Sequence, residues 1–134
     1  MLSFFTFLKY SLFPPKEPEE IAKRITEKIA QSSFSFFKNT RFRDLLDFQN
    51  LSQIEQDRIF NELVVTGQSA AILMFETLEQ RAKTKTAAQF YRDLQIEIES
   101  RYSNWLKELG VEPEHFMLWK KLVKMRTQEY RKTD

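Results

Sequence analysis

Few residues in this chain carry side chains able to catalyse a reaction or hold a metal, and their spacing limits what they can do. The single histidine, His115, closes the tetrapeptide Glu112-Pro113-Glu114-His115. Glu-x-x-His, used twice on facing helices, is the spacing that holds a pair of metal ions inside a bundle. One histidine cannot supply the second pair, and Pro113 puts Glu112 at a helix boundary. Glu62, Glu76 and Glu79 add carboxylates, but Glu62 and Glu76 are about 21 Å of helical rise apart. No metal site and no cofactor are expected. The chain has no cysteine, so thiol catalysis, disulfides and thiolate metal ligation are excluded. Its two glycines cannot build a phosphate-cradling loop, a dinucleotide fingerprint or a nucleophile elbow. The expectation is a protein that is not an enzyme and takes no small-molecule substrate.

The elements that must position any other function read as helices. With 134 residues, 42% hydrophobic and 30% charged, the chain is long enough for one domain with its own core. Thirteen phenylalanines predict a core rich in aromatic contacts, and the scarcity of glycine disfavours tight β-hairpins. Pro14-Pro15-Lys16-Glu17-Pro18 is the clearest boundary, a proline-rich linker (14–18) between an apolar arm (1–13) and a helical domain (19–134). Ile21, Ile25 and Ile29 recur every four residues, continued by Phe36 and Phe37, and predict a helix over 18–38. Asn39-Thr40 breaks it, and a short helix through Phe42, Leu45, Leu46 and Phe48 follows to about Asn50. Ser52-Gln53-Ile54-Glu55 fits a capping box that opens a helix to about Ala82. Thr84 or Thr86 caps the next, whose stripe is Ala87, Tyr91, Leu94, Ile98, Tyr102, Trp105 and Leu109. Gly110 stops it, and Pro113 opens the last helix, with Phe116, Trp119, Val123 and Tyr130 on one side. The fold class is therefore an all-α bundle of four or five helices with a Phe-rich core.

Three features carry the functional expectations inside the domain. The uncharged run from Leu63 to Phe75 reads as the central helix, with Gly67 and Ala71 as a small-x-x-x-small pair that lets a neighbouring backbone approach. A ligand or lipid pocket beside Gly67 is the competing reading. Trp105 to Trp119 is similar to a bacterial helix-turn-helix: Gly110 is the turn glycine, Val111 follows it, and Leu109, Trp105, Phe116 and Trp119 are apolar positions. It departs from that pattern at Leu106, where a small residue is usual, and at Glu112, Glu114, Met117 and Leu118, which suit neither phosphate nor guanine. On the last helix, Lys120, Lys121, Lys124, Arg131 and Lys132 fall on one side and Leu118, Trp119, Leu122, Val123 and Tyr130 on the other. Such a face can receive phosphate, acidic lipid or an acidic partner, or simply stay solvated.

The arm is the fourth feature. Leu2, Phe4, Phe5, Phe7, Leu8, Tyr10, Leu12 and Phe13 leave no polar side, and an apolar patch of that size is not left in water. It is expected to dock on a second copy, another protein or a membrane surface, or to fold back between the chain's own helices. It lacks a basic start and a cleavage site, which predicts that it is retained. The net charge of +2 gives no field that would gather nucleic acid. The functional expectation is a cytoplasmic, non-enzymatic protein–protein interaction module or assembly subunit. A nucleic-acid-binding protein using the C-terminal hairpin is the alternative, followed by a peripheral membrane protein anchored by the arm.

Overall fold

The structure is a computed structural model, and it describes residues 17–132. The chain forms α1 (Pro18–Lys38), α2 (Thr40–Leu45), a 3-10 turn (Phe48–Asn50), α3 (Gln53–Arg81), α4 (Lys85–Glu108) and α5 (Pro113–Lys132), with no strand among the described residues. Pro18 starts α1 with Glu19 and Glu20 in its first turn, where acid meets the positive end of the helix dipole. Ser52 caps α3, and both bonds of its capping box are formed, Glu55 N–H to Ser52 Oγ and Ser52 N–H to Glu55 Oε2. Thr84 caps α4 through the Ala87 N–H. Gly110, at φ 81°, ends α4, with its N–H on the Lys107 carbonyl and the Val111 N–H on the Leu106 carbonyl. That pair of bonds satisfies carbonyls the helix end would otherwise orphan.

α3 is the spine. It packs on α1, α4 and α5, and α1 also packs on α4. Ile21, Ile25 and Ile29 meet Val64, Val65, Ala71, Phe75, Leu94 and Ile98 in the centre. Four phenylalanines gather at one end: Phe37, Phe42, Phe48 and Phe60 interlock edge to face beyond this largely aliphatic centre, in which Phe75 stacks on Tyr91. α5 lies obliquely across α3. Glu62 and Glu76 are about 21 Å apart along α3, yet they reach Arg126 and Arg131, only about 7.5 Å apart along α5.

Two placements differ from the expected stripes. Leu109 is 59% exposed, and Leu106 is buried in its stead at 5%. The apolar face continues from Tyr102 by four residues, while Leu109 is already the capping residue of the turn. Leu118 is exposed and Lys120 half-buried, because α5 turns Trp119, Val123 and Thr127 toward α3. α3 runs unbroken through Gly67.

Buried polar groups are mostly paired. The Ser69 hydroxyl donates to the Val123 carbonyl at 3.3 Å, and that oxygen also accepts from the Thr127 hydroxyl at 2.7 Å. Gln68 and Thr26 are the exceptions: Gln68 is fully buried with no protein partner for its Nε2 or its Oε1, and the buried Thr26 hydroxyl has none either.

Burial pushes the Tyr102 phenol above its ordinary value. The folded chain thus keeps a proton that the unfolded chain gives up near pH 10. Its contribution to stability is full below that pH and is lost as pH rises toward the folded value, by at most about 1.4 kcal/mol per unit. In urea unfolding between pH 9 and 11, Tyr102→Phe should lose stability less steeply than wild type. Equal slopes would contradict this.

Candidate interaction surface

Asn39 alone separates α1 from α2. Its N–H closes α1 on the Phe36 carbonyl, and its side chain opens α2 by accepting from the Phe42 N–H at 2.9 Å. One extended residue therefore swings the chain into a new direction. Arg43, one turn on, donates to the Phe37 carbonyl at 3.0 Å. Its guanidinium stands 4.4 Å from the Phe48 ring centre and 5.2 Å from that of Phe37. Cation–π contact of this kind is worth about 0.5–2 kcal/mol, and more as it is desolvated. Phe48 is buried below, its carbonyl held by the Gln56 amide at 3.2 Å. Asp47 adopts a left-handed conformation at φ 55° and accepts from the Asn50 amide at 2.7 Å.

This scaffold holds apolar side chains outward. α2 buries none of its residues. Leu45 is 76% exposed, Phe36 57%, and Phe34 and Leu46 are exposed as well. The Phe36 ring meets Phe42 edge to face at 5.2 Å, and Lys38 stands 4.3 Å over the Phe34 ring. A polar cleft of about 420 Å³ lies alongside, bounded by Arg43, Asp44, Asp47, Gln49 and Gln56. An apolar centre with a polar margin is the composition of a protein-binding patch.

The residues singled out from the sequence lie elsewhere. Phe4, Phe5, Phe7, Leu8, Tyr10, Leu12 and Phe13 lie outside the described residues. Gly67 faces α1 so closely that a Cβ there would stand 2.6 Å from Ile29 Cγ2, and Ala71 is fully buried. On α5, Lys121, Lys124 and Lys132 are exposed, Lys120 is half-buried, and Arg131 binds Glu76 at 2.6 Å. Lys124 and Arg131 share a cleft of about 310 Å³ with Glu76, Arg92 and Glu99, so positive charge there is interleaved with negative. Arg126 takes Glu62 at 2.8 Å and Glu129 at 3.1 Å, contacts that hold its guanidinium still further above its ordinary value. At the hairpin, Leu106 is buried where the helix-turn-helix pattern has a small residue. Glu112, Glu114, Met117 and Leu118 are exposed at the start of the second helix.

Glu62, Glu76 and Glu79, the carboxylates that could have added to a metal site, are each engaged with an arginine. Glu79 accepts from Arg92 at 2.8 Å and from Gln95 at 2.8 Å, bonds that hold its pKa below the ordinary carboxylate value. With the folded pKa depressed, this contribution to stability is present above the unfolded value and is lost as pH falls through the folded one. Glu79→Gln should therefore flatten the acid limb of the stability profile, and an unchanged limb would contradict this role. Among the described residues, no three His, Asp or Glu side chains converge as a metal site. None of the described helices is long and apolar enough to cross a membrane.

Compared with protein-family models, with curated proteins and with solved structures, the chain matches none.

Proposed function

We propose that the protein is a non-enzymatic helical interaction module that binds another protein, or a second copy of itself, through the aromatic end built by α1 and α2. One observation carries this reading: α2 is a capped helix, clamped by Arg43, that buries none of its own residues while Phe36, Leu45 and Leu46 face outward. Ordering a segment costs roughly 1–2 kcal/mol per residue in backbone entropy. Burial of α2 against the domain contributes little to offset that, whereas burial against a partner would contribute about 1.5–3 kcal/mol for each large apolar side chain. The fixed geometry of the platform lowers the entropic cost of binding in the same way.

The test is capture of the tagged full-length chain from its native lysate, with and without nuclease. A protein retained by the wild type and by Leu118→Asp should be lost with Leu45→Asp, and nuclease should not release it. All three chains should melt within a few degrees of one another, since exposed substitutions typically change stability by less than about 0.5 kcal/mol. A partner that Leu45→Asp still binds, or that nuclease releases, would refute the reading.

A further inference from the structure

α3 carries no charge from Leu63 to Phe75 around its whole circumference, yet only part of that circumference meets the rest of the bundle. At about 100° per residue, Val64, Gln68, Ala71 and Phe75 share the buried side. Glu62 and Ser69 mark the edge that meets α5, through Arg126 and the Val123 carbonyl. Gly67 marks the edge that meets α1, against Ile29. Between these two edges runs a second stripe, Ile59, Leu63, Thr66, Ala70, Leu73 and Thr77, in alternating steps of four and three. That is the seam spacing with which one helix receives another segment along its length. Thr66 and Ala70 are exposed, and Ile59, Leu63 and Leu73 are half-buried. α1 and α5 each pack on α3 without a packed interface between them, so they stand as the walls of a channel over this stripe. Toward α5 the channel opens into a groove of about 500 Å³ floored by Ile59, Leu63, Trp119 and Leu122.

We propose that residues 1–13 of the same chain seat in this channel on α3. The first support is where the described chain begins. α1 runs antiparallel to α3, with Ile29 opposite Gly67 and Phe37 against Phe60 at 5.5 Å. Glu17 precedes Ile29 by twelve residues, about 18 Å of helical rise, which brings it just past the level of Thr77. Glu17, where the described chain begins, is therefore level with the Thr77 end of the stripe and lies beside Asp93, Ile96 and Glu97 of α4. Pro14, Pro15 and Pro18 bar a helix continuous with α1 and allow the chain to turn back. The second support is length. The stripe from Thr77 to Ile59 covers about 27 Å, and thirteen residues span about 20 Å as a helix and about 43 Å extended. The third is chemistry: Lys9 is the one charged side chain of residues 1–13, and the channel floor is uncharged from Leu63 onward. Tethering sets the arm's effective concentration near millimolar, which favours its own channel over that of a second copy.

The absence of cysteine makes the test direct. Full-length chains would carry Ala70→Cys with Phe4→Cys, Phe7→Cys or Phe13→Cys, and a short bifunctional thiol reagent would be applied at micromolar protein. At least one pair should link at the monomer's mass, at least tenfold faster than the same arm position paired with Lys121→Cys. Links only at the mass of a dimer would place the arm on a second copy, and rates equal to the Lys121→Cys controls would remove it from the channel. Either result overturns the proposal. Hydrogen exchange supplies an independent readout on a single substitution. Residues 1–13 should be protected in the wild type and exchange at least tenfold faster in Ala70→Glu, with α4 unchanged. Exchange of the wild-type arm at free-peptide rates would also overturn it.

Discussion

Leucine at position 67 should lower the stability of the bundle by about 1–3 kcal/mol or more, the range for overpacking a filled interior. For a chain of this length that is a fall in melting midpoint of roughly 3–15 °C. The cause is local. A Cβ on residue 67 would already stand 2.6 Å from Ile29 Cγ2 and 3.3 Å from Cγ1. Ile29 is itself buried, and a β-branched side chain is stiff at χ1, so it cannot swing aside without moving α1. Removing glycine from a helix interior gains about 1 kcal/mol of helix propensity. That gain nearly offsets the displacement needed for alanine and falls well short of the one needed for leucine. Gly67→Ala should therefore lie between wild type and Gly67→Leu. A raised midpoint for the leucine variant would show that α1 and α3 do not approach closely here.

Gln68→Met should act in the opposite direction and raise stability by about 1–3 kcal/mol, the cost of a buried amide without a partner. Gln68 is 1% exposed, and both polar atoms of its side chain lack protein partners. Methionine has a similar length and adapts to irregular space, so the exchange removes the polar penalty without opening a cavity. Chemical denaturation of the two chains measures the difference. A loss of stability of the size expected for a core truncation would mean that the amide is satisfied in solution and that the packing here is differently arranged.

The helices were legible because each carries local punctuation. Pro18, the Ser52–Glu55 box, Thr84 and Gly110 each act within a few residues, and the isoleucine period of α1 faces a single interior. A stripe extrapolated by periodicity misplaces Leu109, because it ignores where the capping turn begins. The pairing of Arg126 with Glu62 and of Arg131 with Glu76 joins residues more than fifty positions apart, so no local pattern announces it. The aromatic end was only half legible. The phenylalanines announced aromatic packing, but the outward aim of Leu45 and Leu46 follows from the redirection at Asn39 and the clamp of Arg43. Those are tertiary consequences of residues that read, in sequence, as a plain helix break.

The most direct test of the interaction surface is carbene footprinting of the full-length chain, purified and again in its native lysate. Labelling of Phe36, Leu45 and Leu46 should fall several-fold in the lysate, while that of Met117 and Leu118, exposed on α5, stays unchanged. Equal labelling of α2 in both settings, or protection confined to α5, would contradict the account.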